Sequence, residues 1–270
     1  MKTLRVTNKM DELKTEYEQA ARQADTFYTA ELLKRNGAVI DENGERKAIS
    51  SVVASWMSYS NPLLNVKPVN MSKRYIINEH TGNPTTQTVN STRLEELIAM
   101  ELYKKTDYEG SDIDCIVDYQ VPIERASGEK TKGIGKIDLI AVSHSNRKIY
   151  LMELKRHSNV QESLLRCVAE SYTYFMEIDK EKLRNEVACS KKINEFPLRN
   201  DVKNYEVLPS ELVFENQRQH SQYKSPYFYE VKELMKSLGV SIFVIQVEQG
   251  YTDRAYKQYI PSCRILDGTE

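Results

Sequence analysis

Apolar residues recur at three- and four-residue steps through the first part of the chain. Met10, Leu13, Tyr17, Ala20, Ala24 and Phe27 fall on one side of a helix, the period expected when one face is buried. The pattern predicts one long helix over residues 8–36, stopped by Gly37. Such a stripe packs against its own domain or forms a coiled-coil seam, and a seam would make the N-terminal helices a homo-oligomer contact. A second helix is predicted over 46–58 from Ile49, Val52, Val53, Trp56 and Met57. Residues 60–90 are polar and carry the turn signals NP and TGNP, with a short hairpin expected at RYIIN and TTQTV. The chain thus divides into an α-helical N-terminal region, residues 1–88, with no assigned role, and a second domain over residues 89–270.

From residue 92 the pattern becomes regular. A helix at RLEELIAMELYKK precedes a strand at IDCIVDYQVPI and then a hairpin, KIDLIAVSHSNRKIYLMELKRH, over residues 136–157. The next helix is predicted over 159–178, with Ser158 and Gln161 at capping-box spacing. Its buried face would be Leu164, Leu165, Val168, Tyr172 and Phe175. After a charged, irregular stretch over 179–205 come a strand at ELVFE, a helix at SPYFYEVKELMKSLG and a strand at VSIFVIQVE. This order predicts an α/β fold, a mixed β-sheet flanked by helices on both faces.

The hairpin raises a chemical question, because each of its apolar strands contains ionisable residues. Strand alternation puts Asp138 with Ile140 and Val142 on one face of the first strand. Glu153 and Lys155 share a face with Ile149 and Leu151 on the second. With the turn centred between Ser145 and Asn146, position 142 opposes 149, 140 opposes 151, and 138 opposes 153. Two directly opposed carboxylates repel, so the arrangement calls for a cation between them. A hard divalent ion suits it, since Mg²⁺ is held by one or two carboxylates plus water and phosphate oxygens. Lys155, one pleat further on, lies within reach of such a centre.

Composition narrows the function classes. With 38 basic and 39 acidic residues the chain is balanced, unlike a globally basic nucleic-acid binder. The longest apolar run, VSIFVIQV, is strand-sized, so no membrane helix is expected. The N-terminus has no apolar leader. The four cysteines are widely spaced and form no CxxC pair, which predicts reduced thiols in a cytoplasmic protein rather than a zinc site.

Asp138 followed by Glu153-Leu154-Lys155 on the next strand resembles the PD-(D/E)xK nuclease superfamily, which includes restriction endonucleases and Holliday junction resolvases. The element order over residues 92–250 resembles its restriction-endonuclease-like core, although Gly135-Lys136 replaces the Pro that gives the motif its name. The resemblance implies a hydrolase that cleaves DNA with Mg²⁺ or Mn²⁺. It implies metal ligation by Asp138, Glu153 and the Leu154 carbonyl, with Glu95 from the preceding helix completing the site. Lys155 would orient or deprotonate the attacking water, and Gln161 from the following helix would contribute a polar group. Alternatives from the residues themselves stay open. One is that Asp138, Glu153 and Lys155 form a structural ion-pair cluster. Glu95 has capping-box spacing from Thr92, and Glu101, mid-helix, is its rival as ligand. Glu96 faces away. The Lys- and Arg-rich stretch over 180–203 and the tyrosines of QYKSPYFYEV are weak nucleic-acid contacts. RNA as substrate, or a catalytically inactive nucleic-acid-binding or assembly protein on this fold, are the competing functions.

Overall fold

Val142 pairs with Ile149 and Ile140 with Leu151 across the hairpin in the computed structural model, the register that the apolar alternation predicts. The structure describes residues 6–7, 10–41, 43–69, 74–83, 94–106, 108, 111–123, 135–155, 162–195, 201–215, 217–246 and 264–267.

The N-terminal region departs from the expected long helix. It consists of strand β1 (Val6–Thr7), helix α1 (Met10–Ala21), a 3-10 segment (Ala24–Thr29) and a short helix α2 (Glu31–Lys34). The Tyr17 and Phe27 rings meet edge-on with centroids 5.9 Å apart. In a straight helix ten residues span about 15 Å, so the chain must fold back to bury both rings. The apolar stripe is therefore used within the chain's own core. Strands β2 (Ala38–Ile40) and β3 (Arg46–Ala48) were not expected and complete a small sheet in the order β1-β2-β3. Helix α3 (Ile49–Tyr59) follows directly and buries Val52, Val53 and Met57. Tyr75 and Ile76 of RYIIN are buried, but no strand forms among the described residues there, and TTQTV lies outside them.

The main sheet follows helix α4 (Leu94–Lys104). Its strands are β4 (Cys115–Pro122), β5 (Lys136–Ser143), β6 (Lys148–Lys155), β7 (Glu206–Phe214) and β8 (Ser241–Gln246). A short β9 (Arg264–Asp267), absent from the sequence reading, extends one edge. The spatial order is β4-β5-β6-β7-β8-β9 in an open sheet. The β6–β7 and β7–β8 pairs are parallel and the others antiparallel. The mixed α/β architecture is thus as the element order predicted.

Both faces are covered. Leu139, Ala141, Met152 and Leu154 pack with Leu97, Ile98 and Leu102 of α4. On the opposite face Ile140, Val142, Ile149 and Leu151 pack with Leu164, Leu165 and Val168 of helix α5 (Leu164–Glu177). The N-terminal residues Leu13, Phe27, Val53 and Met57 belong to that same apolar cluster. Helix α5 begins later than expected. Ser163, not Ser158, caps it by accepting from the Arg166 N–H, while Leu164 N–H donates to Gln222 Oε1 at 2.7 Å.

The charged stretch after α5 is helical. It forms α6 (Lys180–Ala188), capped by the Asp179 carboxylate, and α7 (Lys191–Glu195). Leu183, Val187 and Ile193 are buried, a face too narrow to register as a periodic pattern. Lys180, Lys182 and Lys192 of this stretch lie over the rings of Phe175, Tyr75 and Tyr103. Beyond β7, α8 (Arg218–Lys224) and α9 (Tyr229–Leu238) return the chain to β8. Tyr227 and Tyr229 point to solvent, whereas Phe228 between them is buried.

Candidate active site

Four polar side chains lie in one row across the main sheet. The flanking pairs Tyr119–Leu139 and Val121–Ile137 place Gln120 opposite Asp138. The β5–β6 ladder ends at Leu139–Met152, one step short of Asp138 and Glu153. Here the Asp138 carboxylate takes over from the backbone. Its Oδ2 accepts the Leu154 N–H at 2.9 Å and its Oδ1 accepts Gln120 Nε2 at 2.7 Å. Glu153 in turn is the register partner of Glu211 across the parallel β6–β7 ladder. Asp138, Glu153 and Glu211 are all buried.

Helix α5 closes the row from above. Lys155 Nζ, itself buried, donates to Glu153 Oε1 and to Glu170 Oε2, each at 2.9 Å. Glu162 Oε2 stands 3.5 Å away. An ammonium has three N–H donors, so two are committed and the third is directed to neither hydrogen-bonded carboxylate. Arg166 pairs with Glu162 and reaches Glu170 at 3.7 Å. Tyr174 O–H donates to Glu170 Oε1 at 3.3 Å and packs on Tyr28.

Five carboxylates therefore surround two cations, and their ionisation is unequal. Burial, opposed by Lys155 and reinforced by Glu95, pushes the Asp138 carboxyl up to about 7. Burial and then Asp138 raise Glu153 well above the carboxylate range, despite its bond to Lys155. Burial likewise pushes Glu211 up to about 8. Glu170 goes the other way. Burial would raise it, but Lys155 and Arg166 more than offset this and hold it below its ordinary value. Lys155, which burial would lower, is held well above its usual value by Glu153 and Glu170. These two carboxylates hold it as an ammonium.

The expected site residues fare differently. Asp138, Glu153, Leu154 and Lys155 come together as the register required. Glu95, half-buried in the first turn of α4, is near enough to repel Asp138. Thr92, its expected capping partner, lies outside the described residues. Its rival Glu101 is explained by an ion pair with Lys104 at 2.5 Å. Gln161 also lies outside the described residues. Glu162, just before α5, and Arg166 and Glu170 within it complete the site, and neither glutamate was expected there. Glu170 carried a signal, being the one charged residue between Cys167 and Phe175.

No protein-family model, curated protein or solved structure matches the chain. No described helix is long and apolar enough to cross a membrane.

Among the described residues, no three His, Cys, Asp or Glu side chains are disposed to hold a metal by themselves. A site of two carboxylates completed by water and phosphate does not need three. The residues fit such an ion on a different observation. Glu153 Oε2 is buried and has no hydrogen-bond partner, a costly state for a carboxylate oxygen. Asp138 and Glu153, with the Leu154 backbone between them, would hold the cation, with Glu95 at the margin.

Gly135, just before β5, keeps this arrangement tight. A methyl group there would overlap the Tyr174 phenol, which is wedged between Tyr28 and Glu170. Gly135→Ala is expected to destabilise the protein by about 1–3 kcal/mol, the usual cost of overpacking. Thermal melting checks this, and Tyr174→Phe, which deletes the hydroxyl met first, should recover part of the loss.

Proposed function

We propose that the chain is a divalent-metal-dependent nuclease of the PD-(D/E)xK type that hydrolyses DNA phosphodiester bonds. The observation carrying this reading is the buried, unpartnered Glu153 oxygen in a row with Asp138, beside a lysine held as an ammonium. The site has more carboxyl groups than its own two cations can hold ionised, so its buried acids retain protons that a cation brought in with a phosphate would displace.

When bound, Mg²⁺ or Mn²⁺ would act as a Lewis acid toward a phosphate oxygen and make hydroxide available near neutral pH. The protein's residues do the rest. Asp138 is fixed by Gln120 and the Leu154 amide, so its carboxylate direction is set before any substrate arrives. Lys155 has one N–H left over to orient a water or to contact a phosphate oxygen, where charge grows in the transition state. Glu170 anchors the ammonium from above.

The test is incubation with supercoiled, linear and branched DNA, and with RNA, in Mg²⁺, Mn²⁺ or chelator. Metal-dependent DNA cleavage that Glu153→Ala abolishes is the expected result. Absence of cleavage of every substrate in both metals contradicts the proposal.

One observation favours a second reading. Lys155 already binds two carboxylates and approaches a third, as in a structural ion-pair cluster of a non-catalytic nucleic-acid-binding protein. Binding of DNA without cleavage, unaffected by metal, would establish it.

A further inference from the structure

Gln120 has a left-handed backbone, φ 51°, in the middle of strand β4. Only one other described non-glycine residue, Arg147 in the hairpin turn, has a positive φ. A turn explains Arg147. Gln120 has no turn, and glutamine lacks the short side chain that eases this conformation in Asn and Asp. The strain is of order 1–3 kcal/mol, and such outliers persist only where surrounding structure enforces them.

The neighbours show what the distortion does. Tyr119 packs into the apolar cluster under α4, whereas Val121, two residues on, packs into the cluster under α5. Regular alternation would put both on one face. The left-handed residue turns the strand over between them. The register also shifts between Ile116 and Asp118, so β4 is irregular on both sides of Tyr119. At the distorted residue the side-chain amide meets Asp138 Oδ1 at 2.7 Å. Asp138 is the one carboxylate of the row with a donor on each oxygen, and Gln120 supplies the donor that comes from neither β5 nor β6.

We infer that Gln120 is a positioning residue, strained in β4 to fix the Asp138 carboxylate in the orientation that binds the divalent ion. This rests on the metal-site reading above. Groups that orient a metal ligand typically contribute 10- to 100-fold to metal affinity.

Glycine accepts a left-handed backbone without strain, so Gln120→Gly separates positioning from folding. It keeps the strand geometry and removes the side chain with its amide. The experiment is calorimetric titration of wild type, Gln120→Gly and Gln120→Asn with Mn²⁺, with melting of each in chelator. Gln120→Gly should melt at or above the wild-type temperature yet bind Mn²⁺ about 10- to 100-fold more weakly. Gln120→Asn tolerates the backbone but is one methylene short, and should not restore affinity. Wild-type Mn²⁺ affinity in a folded Gln120→Gly protein overturns the positioning role alone. A wild type that binds no Mn²⁺ overturns the metal-site reading and this assignment with it.

Discussion

Lys155→Met should be among the most damaging single substitutions in the chain. The ammonium is buried and bonded to Glu153 and Glu170, with Glu162 nearby. Methionine of similar length fills the space but leaves Glu153 without its cation, and Glu162 and Glu170 with Arg166 alone. Removing one partner of a buried ion pair typically costs about 3–5 kcal/mol, because the other charge stays buried. The loss should depend on pH. Glu170 keeps its low value chiefly through Lys155 and Arg166. Without the lysine it should take up a proton more readily, so the variant should be less impaired at pH 5 than at pH 8. Urea denaturation at both pH values checks this, and cleavage should be lost wherever the variant is folded. A Lys155→Met protein as stable as wild type at pH 8 would mean that the ammonium is not the centre of this network.

Raising the pH should weaken the metal-free protein, the reverse of what salt-bridged carboxylates do. Asp138 has an ordinary value of 3.8 but stands at about 7 in the fold. At low pH both folded and unfolded chains hold this proton and the group is neutral in its effect. As pH rises past the ordinary value the unfolded chain releases the proton while the fold retains it. Stability therefore falls until the folded value is passed. Glu211 extends the decline to about pH 8. The total effect is on the order of a few kcal/mol. Denaturation in chelator between pH 5.5 and 8.5 should show the decline, above the range where the low-lying carboxylates Asp41 and Glu170 dominate. Asp138→Asn should flatten it. Asparagine can accept from the Leu154 amide with its oxygen. Its NH₂ can donate to Gln120 once that amide is turned over, so both contacts survive without the charge. In chelator at pH 8 this variant should be more stable than wild type.

Parts of this arrangement were legible in the sequence, for identifiable reasons. The hairpin register could be read because both strands are apolar on both faces and only one pairing matches every apolar residue. Asp138, Glu153 and Lys155 stood out because a charge inside such a strand has no place to hide. Glu211 was hidden by a boundary. ELVFE was read as the strand, which puts Glu211 at its tip, but β7 starts at Glu206 and carries Glu211 into the middle. The break in the N-terminal helix has no glycine or proline to mark it and is set by where Phe27 packs. The capping-box spacing at Ser158 and Gln161 gave a helix start that Ser163 supplies instead. A left-handed glutamine within a strand has no sequence signature, so neither the Gln120 contact nor the turned-over strand could be anticipated.

The central claim is that the buried acids form a waiting divalent-cation site. Melting wild type and Asp138→Asn at pH 8, in chelator and in excess Mn²⁺, tests it most directly. An ion that binds only the folded state should stabilise wild type by about 2.7 kcal/mol at a hundredfold excess over its dissociation constant. Asp138→Asn should start higher in chelator and gain less. A wild type with no Mn²⁺-dependent shift, together with an Asp138→Asn protein that melts lower in chelator, would contradict the claim and leave Lys155 and Arg166 as the only cations this site was built to hold.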